Sequence, residues 1–350
     1  MVKWALLLLP ALLLCPLPAC RQPAAQKPAI AFYYWRTDFA LKPGEQQLLA
    51  RHASAPLYLR YFDLAYSGEA GQALPVSPVA VRTPSAQAII PVVFIKNKVW
   101  EHTDSLGIDS LAEHTLQLCG KINQHIACSP EELQIDCDWS SGTAAKYFYF
   151  LRVLRRQLQE RPAAYSFSPK VLLSATIRLH QVKYPGRQGV PPVDRGMLMY
   201  YNMGKIGPGA ENAIYEEATG LQYIRALKKY PLPLDFALPV FAWGIHIREG
   251  RVVELLNKMD DRDFKQDERF RAIGTNRYLA TGAFFKNGFY FKETDEVKVE
   301  AVAAADLKRM ARILKKYYEH PVQRLVFYDL DSINISRYEK NIFTEVADCL

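Results

Sequence analysis

The sequence predicts an α/β protein built as a closed (β/α)8 barrel, and three observations predict it. Eight short apolar runs recur along the chain, several of them separated by helical patterns. The runs are rich in β-branched and aromatic residues, as strands buried between a core and a helix layer are. No G-x-G-x-x-G turn follows the first run, which argues against an open doubly wound sheet, the other home of such alternation.

The expected strands are 30–35 (IAFYYW), 56–64 (PLYLRYFDL), 88–96 (AIIPVVFIK) and 132–139 (ELQIDCDW). They continue with 170–179 (KVLLSATIRL), 196–202 (GMLMYYN), 234–243 (LDFALPVFAW) and 324–331 (RLVFYDLD). Between them, 110–125 carries apolar residues at helical spacing. The stretch 143–158 places Phe148, Leu151, Leu154 and Leu158 on one stripe, and 297–318 does the same with Ala304, Leu307, Ala311 and Leu314. The segment of about 244–293 breaks the rhythm. It reads as two hairpins, the second turning at Asn287-Gly288, and is expected to be a small hairpin-rich insertion between strands seven and eight.

At 350 residues, with 49% hydrophobic and 23% charged, the chain has enough apolar material for one large domain. The formal charge of +8 is scattered rather than gathered into a stripe, and no nucleic-acid-reading motif is present, so nucleic acid is excluded as a partner. Aromatics reach 12%. That suits a surface for stacking sugars, and equally a large core with tyrosines at its edge.

The N-terminus points to export. Lys3 supplies a basic start, Trp4 to Leu14 is nearly all apolar, and Leu17-Pro18-Ala19-Cys20 follows. This run is too short and too proline-broken to span a bilayer, and has the layout of a secretory leader. With Cys20 after Ala19 and Leu17, it resembles the bacterial lipoprotein signal. That resemblance implies diacylglyceryl attachment to the Cys20 thiol and cleavage before it. The expected organisation is a leader at 1–19, a tether at 20–29 and the barrel at 30–350, lipid-anchored in the cell envelope, with the outer membrane the favoured site. Of the remaining cysteines, Cys119 and Cys128 form the plausible local disulfide pair in an exported chain. No Cys/His spacing suggests zinc, no cofactor motif appears, and a monomer is expected.

The chemistry concentrates in LQIDCDWS, 133–140. Side chains alternate along a barrel strand, so Asp136 and Asp138 share one face while Ile135 and Cys137 share the other. Near the C-terminal end of a strand, inward carboxylates lie where barrels build their sites. Two close carboxylates also raise one another's pKa. Arg60 and Arg178 stand on otherwise apolar strands, and an inward arginine needs an acidic partner. At least one of them is expected to pair with Asp136.

IDCDWS resembles the fourth-strand signature D-x-x-D-x-D-x-E of the family 18 chitinase-like glycosidases. Asp136 and Asp138 fall on its last two aspartates and Trp139 on its frequent tryptophan. MYYN (Met199 to Asn202) is similar to the family's M-x-Y-D, with Asn202 for the aspartate. LLSATIR resembles its fifth strand, and LVFYDLD its eighth, where Tyr328 would replace a tryptophan floor. The resemblance implies a sugar-binding cleft. It also exposes a departure: the family's general acid is the final glutamate, and this chain has Ser140 there. The first motif aspartate is replaced by Leu133. A serine hydroxyl is far too weak an acid to protonate a glycosidic oxygen, and general acid–base catalysis is worth about 10²–10⁴-fold.

Three readings follow. In the first, the barrel hydrolyses a glycan with a non-standard carboxylate pair: Asp138, with Asp136, is catalytic, and the acid comes from Asp63, Glu101, Asp104, Asp329 or Asp331. In the second, it binds a glycan or protein and catalyses nothing. In both, Tyr33, Trp35, Trp100, Trp139, Tyr201, Asn202, Trp243, Tyr328 and Asp329 are candidate ligand contacts. The third, a metal-dependent hydrolase, is prompted by His180, His246 and Asp329 but lacks a histidine pair on strand one.

Overall fold

The computed structural model describes residues 27–82, 87–209 and 211–350. Cys20, the leader and most of the tether lie outside them. Eight parallel strands form the central sheet: β1 (Ala29–Tyr34), β2 (Leu57–Ser67), β3 (Ile89–Ile95), β4 (Glu132–Cys137), β5 (Leu172–Ile177), β6 (Arg195–Met199), β7 (Leu234–Pro239) and β8 (Arg324–Tyr328). Each lies on one of the eight apolar runs. Successive strands pair in order, and β1 closes the ring by pairing with both β2, Phe32 opposite Leu57, and β8, Ala29 opposite Arg324. Closure buries both faces of these runs, which is the reason most of their residues are apolar. One face fills the barrel, the other meets the helices.

The main helices are α1 (Pro43–Arg51), α2 (Ser105–His125), α3 (Ala144–Glu160), α4 (Leu179–Lys183), α5 (Glu217–Ile224) and α6 (Ala304–Tyr317). Asp104 caps α2 by accepting from the Gly107 amide at 2.8 Å. On α6, Leu307, Met310, Ala311 and Leu314 are buried, at the spacing of one helix face. The expected helix at 297–318 is therefore shorter than its pattern suggested. Glu296–Ala301 is a strand, with Val297 and Val299 buried at period two.

That strand belongs to the insertion, which runs from Ala242 to Ala301 and so extends past 244–293 at both ends. Five antiparallel strands follow the order Arg251–Asn257, Ala242–Arg248, Glu296–Ala301, Arg277–Ala280, Phe270–Gly274. Of its three hairpin turns, Glu249-Gly250 and Asn287-Gly288 hold positive φ at both residues, as tight two-residue turns require, while the turn at Thr275-Asn276 does so at Asn276. Leu256, Phe264, Phe270, Tyr278 and Phe291 give the insertion its own core.

The expected disulfide is absent: Cys119 and Cys128 are both free. Cys119 is buried on α2, whereas the Cys128 thiol lies against the Asn123 amide oxygen (3.8 Å) and the Tyr61 hydroxyl (3.9 Å). No helix among the described residues is long and apolar enough to cross a membrane.

Candidate functional site

Strand β4 carries a polar side chain at every barrel-facing position: Glu132, Gln134, Asp136 and, just past its end, Asp138. At the N-terminal end of the barrel, Glu132 pairs with the Arg324 guanidinium, which also donates to the Tyr58 hydroxyl at 3.1 Å. Ser174 donates to Glu132 at 2.6 Å, and Tyr33 gives its hydroxyl proton to Gln134. Glu132 and Gln134 are buried, while the Arg324 side chain stays 21% exposed at the N-terminal mouth of the barrel.

The C-terminal end opens into a cleft of about 310 Å³, lined by Asp138, Arg178, His180, Tyr201, Asn202 and Tyr223 among others. Arg178 lies between the two aspartates. Its Nε and Nη2 both donate to Asp138, the latter at 3.2 Å, and Nη2 stands 3.9 Å from Asp136. Thr176 donates to Asp136 at 2.6 Å. Nη1 of Arg178 donates to no described residue, so it is available to a bound molecule. The expectation that an arginine pairs with Asp136 thus holds for Arg178. Arg60 instead pairs with Asp63 at 2.7 Å.

Burial distinguishes the two carboxylates. Asp136 is enclosed, and its desolvation pushes its carboxyl above the ordinary range, against the pull of Arg178 and Thr176. The Asp138 side chain is 53% exposed, yet both its oxygens accept from the guanidinium. His180, at the cleft rim, is lowered by desolvation, with Asp138 drawing it back up.

Ser140 does not substitute for an acid. Its hydroxyl lies 3.2 Å from Thr143 Oγ1, which donates to Asn97 at 2.7 Å. Nor do most of the other candidate acids stand free. Asp63 is held by Arg60, Asp104 caps α2, and Asp331 both caps a helical turn at Ile333 and pairs with Lys258 at 2.7 Å. Asp329 is different. Burial, with Asp331 adding to it, raises its carboxyl to about 6 while Lys258 and the Asn334 amide (2.6 Å) pull the other way.

An aromatic wall stands at the same end of the barrel. Tyr201 stacks on Tyr328 at 5.6 Å, and Tyr328 meets Trp35 edge-on at 5.6 Å. Phe241, which sequence reasoning passed over, lies 5.8 Å from Tyr328 and 5.2 Å from Trp243. Trp35, Tyr328, Phe241 and Trp243 remain half-buried and open to contact, while Tyr33 and Tyr201 form the enclosed floor beneath. Trp243 is fixed by its indole N–H donating to Glu300 at 2.8 Å.

Two expected stacking residues lie elsewhere. Trp139 is buried on the helix side, against Tyr147 and Phe148, with its indole N–H on the Gln188 carbonyl. Trp100 packs on Tyr147 and Phe150 and donates to the Cys137 thiol. Tyr33 is also unavailable, since it is buried and committed to Gln134. The metal grouping does not assemble. His246 is buried in the insertion between Asp295 (2.8 Å) and Glu254 (3.4 Å), and the described residues hold no group of three or more His, Cys, Asp or Glu suited to a metal ion.

No sequence family model and no curated relative matches the chain. Solved structures do. A GH18 chitinase from Cycas revoluta in complex with (GlcNAc)4 is similar at a TM-score of 0.57 and 11% identity, over 92% of this chain and 99% of that one. The Bacillus cereus spore cortex-lytic enzyme SleL is similar at 0.54 and 11%, over 93% of this chain and 75% of its own. The Cycas chitinase has also been solved with allosamidin. The chain therefore has a divergent family 18 chitinase-like (β/α)8 barrel fold.

Proposed function

We propose that this divergent chitinase-like barrel binds N-acetylated glycan in the cleft at the C-terminal end of its strands and does not cleave it by the family route. The observation that carries the reading is the Arg178 guanidinium, inserted between Asp136 and Asp138 beside a serine where the acid should stand. A glycosidase needs one carboxyl to give a proton and a second group to receive or stabilise charge. Here Asp138 has both oxygens bound to a cation, and Ser140 has no acidic proton to give. What remains is suited to binding. Trp35, Tyr328, Phe241 and Trp243 offer apolar faces for sugar rings, and Arg178 Nη1, Asn202 and Asp138 offer polar contacts.

The choice of N-acetylated sugar is supported by the similar chitinase structure being bound to (GlcNAc)4. Calorimetric titration with N-acetylglucosamine oligomers tests it, beside the same oligomers after deacetylation. Saturable binding that weakens in Asp138→Asn and Trp35→Ala is expected. Absence of binding to any N-acetylated oligomer would overturn the reading.

Hydrolysis retains one observation in its favour, the Asp329 carboxyl raised to about 6, where an acid still holds part of its proton near neutrality. Its burial and its bond to Asn334 speak against contact with a leaving oxygen. Reducing ends released by the wild type but not by Asp329→Asn would establish it.

We propose further that Cys20 anchors the chain in a bacterial envelope membrane. Loss of membrane association in Cys20→Ala is the expected result.

A further inference from the structure

We infer that the N-terminal face of the barrel docks on an anionic phospholipid surface, so that the glycan cleft points away from the membrane. In a (β/α)8 barrel each strand starts at one face, and each helix ends there before the next strand begins. Basic residues collect at those junctions. Arg51 ends α1 just before β2, and Lys170 precedes β5. Lys228 and Lys229 close the helical turn before β7, and Lys315 and Lys316 lie in the last turn of α6 before β8. All six are exposed. Lys228 pairs with Glu319, but Lys229, Lys315 and Lys316 have no acidic partner among the described residues. Lysines and arginines at a surface are attracted to the negative potential of acidic headgroups.

The chain's point of departure agrees with the charge. β1 begins at Ala29, which lines a concavity of about 490 Å³ on this same face together with Pro56, Pro130 and Arg324. From Cys20 to Lys27 is seven residues, a reach of at most about 25 Å when fully extended. A lipid at Cys20 would hold this face against the headgroups and leave the cleft at the far end of the barrel.

The inference takes its tether from the anchored reading, but the test does not need it. The chain beginning at Arg21 retains the whole barrel and core and carries no lipid. It is mixed with phosphatidylcholine vesicles, with or without phosphatidylglycerol, and sedimented. Binding is expected only with phosphatidylglycerol, and raised salt should release it. Reversing Lys228, Lys229, Lys315 and Lys316 to glutamate should weaken vesicle affinity by about tenfold or more, since each basic residue contributes separately to attraction by an acidic bilayer. Reversing Arg251, Lys265, Arg271 and Lys292, exposed on the insertion, should leave it nearly unchanged. Equal loss in both sets would reduce the effect to net charge and overturn the inference, as would binding indifferent to phosphatidylglycerol or no binding at all. Circular dichroism of each variant confirms that it is folded. Glycan titration on the same variants keeps the cleft separate, because the N-terminal-face reversals should not change it.

Discussion

Strand β4 meets an arginine at both ends of the barrel, and the two meetings differ. At the N-terminal end, Glu132 is enclosed and Arg324 binds it together with Tyr58. At the C-terminal end, Arg178 is shared between an enclosed Asp136 and a half-exposed Asp138, under an open cleft and an aromatic wall. The same strand, the same two-residue repeat and the same ion-pair chemistry give a plug at one end and a site at the other. The two arginines are about equally exposed, 21% for Arg324 and 22% for Arg178, so what separates the ends is the carboxylates. Glu132 is buried, whereas Asp138 is half-exposed and borders a cleft with a guanidinium nitrogen to spare.

Either ion pair can be removed by substitution. Arg324→Ala should be the more damaging, because Glu132 is left buried without its cation, and about 3 kcal/mol of stability should be lost. Denaturant unfolding measures it. Arg178→Ala should cost less, about 1–2 kcal/mol, since Asp138 can turn to water and Asp136 can take up a proton. Its larger effect should fall on glycan binding. If Arg178→Ala proves as destabilising as Arg324→Ala, the C-terminal ion pair is a second plug and the contrast fails.

Acid titration sharpens the same point. Burial raises Asp136 in the folded state, so the folded protein holds this proton more tightly than the unfolded chain does. Its contribution favours folding below the unfolded value of about 4 and is lost as pH climbs toward the raised folded value. Stability measured across that window should decline more steeply for the wild type than for Asp136→Asn. Identical slopes would mean that Asp136 is not desolvated as described. The smallest expected effect is at the wall. Trp35→Ala should cost about 1 kcal/mol of stability, because the side chain is half-buried against Tyr33 and Tyr328, and weaken glycan affinity by about tenfold through the lost aromatic face.

Much of this was legible in the sequence. The eight strands stood out because a ring buried on both faces needs mostly apolar runs, even where, as on β4, the barrel-facing positions are polar. Parity placed Asp136 and Asp138 together, and the apolar setting of Arg178 made it a candidate partner. The same parity sends Trp139 outward with Cys137, a signal that the pull of the motif obscured. The Glu296–Ala301 strand was hidden because its alternating valines run directly into the amphipathic pattern of α6. Nothing local marks Phe241 or Tyr223 as neighbours of the cleft. Their convergence arises only when the ring closes and brings the ends of distant strands together.

The cleft is proposed to hold a glycan without cutting it. The most direct measurement mixes protein in excess with (GlcNAc)4, isolates the complex, and weighs the released sugar by mass spectrometry. Recovery of the intact tetrasaccharide with the protein is the predicted result. Recovery of shorter oligomers, or of no sugar at all, would contradict it.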